Sequence, residues 1–201
     1  MKAILRNVIL SFIPVAAIMN SASAGTTLQN LATAYQGECN AANRYENFAR
    51  QADAAGFTEI ARLFRGTAAS EAIHRDLDKR AILKLGGQPG TFKLDEITPA
   101  PTAENLKASI RGESLEVDTL YPAFLAVAKA DNSKPAIRAF DYSLSAEKNH
   151  VDFFRQALDQ IDAKTPITVY VCKDCGLLLT KLPDKKCPLC REGLKEFKQI
   201  K

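Results

Sequence analysis

Several features that would mark a special protein class are scarce in this 201-residue sequence. It contains only 10 glycines and 9 prolines, so neither a collagen-like repeat nor a disordered low-complexity chain fits the composition. The 27 lysines and arginines nearly balance the 23 aspartates and glutamates, which argues against a nucleic-acid-binding protein. With 46% hydrophobic and 25% charged residues, the composition is typical of a soluble globular protein.

The N-terminus has a different character from the rest of the chain. An apolar run from Val8 to Met19 follows a basic start with Lys2 and Arg6 and precedes Ala22-Ser23-Ala24, which is the layout of a secretory signal peptide. Pro14 interrupts the run, which is shorter than the roughly 20 residues that span a membrane. We therefore expect cleavage after Ala24, export to a periplasm or its equivalent, and no membrane attachment of the mature protein.

Four long segments carry the periodicity of helices. Apolar residues recur at alternating steps of three and four over residues 26–54, 57–85, 102–130 and 134–163, which predicts helices packed in a bundle. The proline-rich connection between the second and third helices is long enough to run the length of the bundle. Pro122 lies inside the third segment and predicts a kink or a loosened turn there. The fold expected for this region is a four-helix bundle.

The two halves of the helical region resemble each other. A shift of 75 or 76 residues aligns Glu38 with Glu113, and the Glu-x-x-His motif at residues 71–74 with the same motif at residues 147–150. The shift indicates a duplicated pair of helices. Both of the chain's histidines therefore occur in one repeated pattern.

The repeated motif is suited to binding metal ions. Residues i and i+3 lie on the same face of a helix, so each motif presents a carboxylate beside an imidazole. Several buried carboxylates together are strongly disfavoured unless a cation compensates them. Two such motifs with a glutamate from each of the other two helices form the ligand set of di-iron and di-manganese bundles, and this mixture of donors suits those metals. The predicted ligands are Glu38, Glu71, His74, Glu113, Glu147 and His150.

Three further residues are candidates for a role at this site. Glu116 is an additional carboxylate, because its counterpart in the first half is Ala41. It is either a supporting or partly solvated group, or a metal ligand that replaces neutral His74 when the iron becomes ferric. Tyr45 and Tyr121 follow the two single glutamates by seven and eight residues, and are either core aromatics or hydrogen-bond partners of the carboxylates.

The C-terminal segment, residues 166–201, has a second metal signature. Its 36 residues are too few for a core alone to hold a fold, and its cysteines form two Cys-x-x-Cys pairs separated by eleven residues. Two disulfides are the alternative in an oxidising compartment. Bound zinc would serve structure, whereas a mononuclear iron would transfer one electron. Cys39 is expected to be a small buried side chain or a free thiol open to redox chemistry. The four predicted ligands are Cys172, Cys175, Cys187 and Cys190.

Taken together, these motifs resemble the rubrerythrin family over essentially the whole mature chain. The resemblance implies a mainly α fold, with a ferritin-like four-helix bundle followed by a small rubredoxin-like domain. The domain boundaries expected are 1–24 for the signal peptide, 25–165 for the bundle and 166–201 for the cysteine domain. The motifs that carry the resemblance are Gly37-Glu38 with Tyr45, Glu71-x-x-His74, Glu113-x-x-Glu116 with Tyr121-Pro122, Glu147-x-x-His150, Cys172-x-x-Cys175-Gly176 and Cys187-Pro188-x-Cys190.

The resemblance also implies a function. It predicts a di-iron peroxidase that reduces hydrogen peroxide to water and receives electrons from an unknown donor protein through one iron at the four cysteines. It further implies that Glu116 exchanges with His74, that Tyr45 and Tyr121 belong to the catalytic set, and that the protein is a homodimer or higher homo-oligomer assembled head to tail. The alternatives are a ferroxidase or iron-handling protein, and a non-enzymatic module with structural zinc.

Three departures from the family pattern bear on these expectations. The predicted export is unusual for a family that is typically cytoplasmic. Leu177 stands where an aromatic residue commonly follows the first cysteine pair. Cys39 occupies a position where a hydroxyl residue is common.

Overall fold

The computed structural model describes residues 25–163 and 165–201. The predicted signal peptide, residues 1–24, lies outside the described residues. Within the described ranges, no helix combines the length and the apolarity that crossing a membrane would require.

Five α-helices build the bundle region over residues 25–163. The longest, α1, begins with a capping box in which Thr26 and Gln29 exchange side-chain and backbone hydrogen bonds. α1 packs along α2, and α5 packs against α2, α3 and α4. Because α3 and α4 are two halves of one rod, the architecture is the expected four-helix bundle, and this prediction is confirmed. The helices are α1 (Thr27–Ala54), α2 (Thr58–Lys84), α3 (Thr102–Leu115), α4 (Tyr121–Ala130) and α5 (Lys134–Asp159).

A π-helical turn, Glu116–Leu120, joins α3 to α4. Pro122 has no amide hydrogen, so the regular helical hydrogen bond to the carbonyl of Asp118 cannot form. The amide of Tyr121 instead donates to the carbonyl of Glu116, five residues back. The loosened turn predicted from Pro122 is therefore confirmed, and it lies directly before the proline.

The last helix ends earlier than its periodicity predicts. α5 stops at Asp159, and turn residues follow where the prediction had helix to residue 163. Here the chain turns back toward α2, where Glu59 accepts a hydrogen bond from the amide of Ile167 at 2.6 Å. Arg62 donates to the carbonyl of the same residue at 2.8 Å. These two hydrogen bonds fix the path of the chain into the C-terminal segment.

The C-terminal segment is a small antiparallel sheet that rests on the bundle. Its strands are β1 (Val169–Cys172), β2 (Leu178–Leu179) and β3 (Phe197–Ile200), and β1 lies between the other two. Apolar residues of this sheet belong to the same buried cluster as Phe64 and Phe154 of the bundle. Gly66 of α2 allows this contact, because a Cβ atom there would lie 2.6 Å from a methyl group of Val169. The sheet is thus held by the bundle core as well as by its cysteines.

Candidate metal centres

The six predicted bundle ligands converge in the interior, between two apolar clusters. Each of them is at most 2% exposed. They form two overlapping groups of four, and within each group the ligand atoms lie within 4.8 Å of one another. Glu71 and Glu147 belong to both groups, so they would help to hold both ions of a two-metal centre. The groups are Glu38, Glu71, His74 and Glu147, and Glu71, Glu113, Glu147 and His150.

Both imidazole rings turn the same nitrogen toward the carboxylates. His74 Nδ1 lies 2.9 Å from Glu71 Oε2 and 2.9 Å from Glu147 Oε1. His150 Nδ1 lies 3.3 Å from Glu71 Oε1 and 3.3 Å from Glu113 Oε2. The arrangement leaves Nδ1 of each histidine as the metal-facing atom and Nε2 for other contacts.

The unpaired oxygens in this cluster test whether metal ions fit it. Within the described part of the chain, Glu38 Oε2, Glu71 Oε1 and both carboxylate oxygens of Glu147 accept no hydrogen bond of proper geometry, although a histidine Nδ1 lies close to the last three. Buried carboxylate oxygens without partners are strongly unfavourable, and two cations would compensate them. A donor set of carboxylates and two imidazoles suits iron or manganese. The residues present therefore fit a di-metal centre.

The pKa of each carboxyl and imidazole group in the cluster depends strongly on the charges of its neighbours. Burial, together with the charges of Glu147 and Glu71, raises the pKa of Glu113 to about 8. Burial would also raise the pKa of Glu147, but the adjacent His150 and His74 outweigh it and lower that pKa. Burial would lower the pKa of His74, yet Glu147 raises it to about 10. Without cations the cluster therefore retains protons, which metal ions would displace.

Two buried phenols cross between the halves of the repeat. Tyr45 donates a hydrogen bond to Glu113 Oε1, and Tyr121 donates one to Glu38 Oε1. Burial, and then the carboxylate that each phenol faces, raises the pKa of both tyrosines well above the ordinary value. The phenols thus stay neutral and act as hydrogen-bond donors. They hold Glu113 and Glu38, each of which belongs to only one of the two ligand groups.

Glu116 stands apart from the six ligands. It belongs to neither group of converging ligand atoms, and it is half-buried on the π turn. Glu116 is less buried than Glu113, because the π turn shifts the register of the helix at this point. Burial of its carboxyl group and the charge of Glu113 raise the pKa of Glu116 well above the ordinary value. Its exchange with His74 stays a prediction.

Ser70 connects the bundle site to the C-terminal sheet, and the sequence analysis did not identify it. Its Oγ lies 3.1 Å from His150 Nε2 and 3.5 Å from His74 Nε2. The same hydroxyl donates to the carbonyl of Gly176 at 2.6 Å. Ser70 lies four residues before His74 on one helical face, and this spacing is the signal that could have identified it.

The four C-terminal cysteines form a compact group next to this contact. The Cys172 and Cys190 sulfurs lie 3.5 Å apart, and those of Cys175 and Cys187 lie 3.7 Å apart. A disulfide needs about 2.05 Å, whereas a tetrahedron with metal–sulfur bonds of about 2.3 Å has edges of about 3.8 Å. The separations fit a tetrathiolate metal site and not the alternative of two disulfides. Of the two expectations for Cys39, the buried side chain is wrong, because Cys39 is a partly exposed free thiol.

Comparisons with known proteins agree with this geometry. Residues 29–158 match the family profile described as Rubrerythrin. Nigerythrin from Nitratidesulfovibrio vulgaris is 34% identical over 170 residues, which cover 83% of this chain and 82% of nigerythrin. A putative rubrerythrin from Methanocaldococcus jannaschii is 34% identical over 192 residues, with 85% and 91% of the two chains covered. A solved structure of nigerythrin in a mixed-valence state superposes with a TM-score of 0.81 at 32% identity and covers 92% of this chain and 91% of its own.

Proposed function

Because the chain belongs to the rubrerythrin family, we propose that it is a peroxidase that reduces hydrogen peroxide to water. The chain has both iron sites of the family, a di-iron centre in the bundle and a rubredoxin-like iron at the four cysteines. The bound irons supply the electrons that the reduction consumes. Nigerythrin has been solved in mixed-valence and all-ferrous states, which supports the use of iron here.

The Ser70 contact is the observation that carries this proposal. Gly176 follows the ligand Cys175 directly, and its carbonyl accepts the hydroxyl that also contacts both histidines. The two metal sites are therefore joined by one buried hydrogen-bonded path within a single chain. A storage protein or a zinc-stapled binding module has no need of such a path, whereas a peroxidase that is re-reduced through the cysteine site does.

The glutamates and tyrosines of the bundle site would hold the metal ions and orient their ligands. Glu71 and Glu147 would help to hold both metal ions, Glu38 and Glu113 would each help to hold one, and the phenols of Tyr45 and Tyr121 restrain Glu113 and Glu38. Glu116, on the π turn outside both ligand groups, would replace His74 as a ligand when the oxidation state of a bound iron changes. The half-buried position of Glu116 outside the ligand groups supports a side chain that moves between two positions.

Anaerobic titration of the reduced holoprotein with hydrogen peroxide tests this function. A peroxidase oxidises two ferrous ions for each peroxide and keeps its iron, whereas a ferroxidase releases or mineralises iron during turnover. A colourless cysteine site that contains zinc would support the non-enzymatic alternative. Absence of a reaction between the reduced protein and peroxide would refute the proposal.

We also propose export and self-association. The layout of residues 1–24 supports a periplasmic or equivalent location, and sequencing the N-terminus of the protein isolated from its cells should then find Gly25. A mature protein that begins at Met1 would contradict export.

We further propose that the protein forms a homo-oligomer and receives electrons from an exported donor protein. Sedimentation of the holoprotein tests the oligomeric state.

A further inference from the structure

A second set of buried polar atoms lies beside the di-metal centre but outside it. Asp78 of α2 and Ser143 of α5 are both 0% exposed. Within the described residues, neither oxygen of the Asp78 carboxyl group nor the Ser143 hydroxyl has a hydrogen-bond partner. A buried carboxyl group without partners is strongly disfavoured, so its presence in the core requires an explanation.

The register of α2 against α5 places these two residues opposite each other. His74 of α2 lies 2.9 Å from Glu147 of α5. Four residues further along α2 is Asp78, and four residues back along α5 is Ser143. Because the two helices run antiparallel, both steps lead about one turn in the same direction from the metal centre. Asp78 and Ser143 therefore form the layer next to the ligands.

The repeat shows that this layer is specific to one end of the site. The shift of 76 residues aligns Asp78 with Phe154 and Thr67 with Ser143. At the other end, Phe154 packs against Tyr45 at 5.4 Å between ring centroids, and Thr67 donates to a carbonyl of its own helix. That end is apolar and satisfied. The end with Asp78 is the polar one.

Charged and titratable groups of α1, α2, α4 and α5 interact with Asp78. Burial raises its pKa well above the ordinary value, His74 partly offsets this, and Glu147 adds to it. Asp78 in turn acts on Glu38 of α1 and on Tyr121 of α4. A fully buried carboxyl group whose two oxygens have no partner is most stable in the neutral form, which is the form that can donate a proton.

We propose that Asp78 donates a proton for peroxide reduction, through a water molecule held between its carboxyl group and the Ser143 hydroxyl. This inference rests on the proposed peroxidase function. Reduction of one hydrogen peroxide to two waters breaks the O–O bond and consumes two electrons, from the di-iron centre, and two protons. Asp78 supplies one proton and becomes a carboxylate, which regains a proton from solvent before the next turnover. The other proton is taken up from solvent directly.

A comparison of holoprotein variants in a single turnover tests the relay. The reduced protein is mixed anaerobically with hydrogen peroxide, and iron oxidation is followed by absorbance. We expect Asp78→Asn to slow oxidation about 100-fold and Ser143→Ala about tenfold, with iron content unchanged. Asp78→Glu, which keeps a carboxyl group, should restore much of the rate. Thr67→Val is the matched control, because it removes the counterpart hydroxyl at the apolar end, and it should leave the rate unchanged.

Infrared spectroscopy supplies a readout that does not depend on turnover. The iron-loaded protein should show the carbonyl band of a protonated buried carboxylic acid, and Asp78→Asn should remove that band. Unchanged oxidation rates in Asp78→Asn, loss of iron from it, or persistence of the band would each overturn the relay. Failure of the relay alone can be distinguished from failure of the proposed function. In the first case the wild-type reduced protein still reacts with peroxide, and in the second it does not react at all.

Discussion

The hydroxyl of Ser70 donates to the carbonyl of Gly176 at 2.6 Å, across 106 residues of sequence. The same oxygen lies 3.1 Å from His150 Nε2. A single buried atom therefore contacts both the cysteine segment and an imidazole whose Nδ1 faces the metal centre. The position of the C-terminal sheet and the orientation of the histidines are coupled through it.

Removing this hydroxyl should weaken the coupling. In Ser70→Ala, the Gly176 carbonyl and the imidazole lose a buried partner, which costs about 1–3 kcal/mol. We expect faster amide exchange in β1 and slower electron transfer from the cysteine site to the di-iron centre. Hydrogen exchange of the metal-loaded protein and anaerobic stopped-flow reduction measure the two effects.

The control for this variant is Ser109→Ala. Ser109 is also buried, but its hydroxyl donates at 2.8 Å to Asn105 of its own helix. This change should leave exchange in β1 unaltered. Equal behaviour of the two variants would mean that the Ser70 contact does not couple the two sites.

Gly176 should tolerate no side chain. Its φ of +80° is a conformation that residues with a Cβ rarely adopt, and a Cβ there would lie 2.3 Å from His74 Nε2. We expect Gly176→Ala to undock the sheet, with a strain of about 1–3 kcal/mol, while both metal sites still fill. Limited proteolysis should then cut near residues 163–168, and metal analysis should find unchanged iron.

Gly193→Ala provides the matched comparison, because nothing lies within 4 Å of a Cβ at Gly193. Its φ of −73° is ordinary. This variant should resist proteolysis as the wild type does. A Gly176→Ala protein that resists equally would show that the sheet does not dock through this contact.

The sequence predicts the parts of this molecule that depend on local spacing. Steps of three and four define the buried faces of the helices, and Pro122 predicts the loosened turn. The crossing of Tyr45 to Glu113 could not be predicted, because periodicity shows which face a residue occupies but not which distant residue it meets. The same holds for the contact between Ser70 and Gly176, which joins two segments with unrelated patterns.

Glu116 is predicted to act in turnover and not in metal retention. It lies outside both ligand groups, so Glu116→Ala should bind iron fully. If it exchanges with His74, the variant should reduce peroxide about 10–100-fold more slowly. Metal analysis and anaerobic single-turnover oxidation measure the two quantities. Asp118→Asn, an exposed change on the same π turn, is the control. Full activity of Glu116→Ala would rule out the exchange.

The stability of the metal-free protein should fall as the pH rises from 5 to 8. Burial, together with the charges of Glu147 and Glu71, raises the pKa of Glu113 in the folded state from its ordinary value of 4.5 to about 8. Between these two pH values the folded state therefore binds more protons than the unfolded state. The pKa of His74, which Glu147 raises from 6.5 to about 10 against the effect of burial, also makes stability fall with rising pH. The stabilisation from His74 is complete below pH 6.5 and is lost as the pH rises toward 10. The pKa values of Glu71 and Glu147 are lowered, so these two groups change the free energy of unfolding only at pH values below this window.

Thermal unfolding with and without a chelator measures this effect. A loss of about 2 kcal/mol would lower the Tm of the metal-free protein by about 4–8 °C between pH 5 and pH 8. The iron-loaded protein should not show this loss, because cations replace the protons in the cluster. Glu113→Gln, which cannot titrate, should flatten the profile of the metal-free protein. A metal-free protein that becomes more stable toward pH 8 would mean that the glutamates are not held protonated in the fold, and that the cluster does not need cations to compensate it.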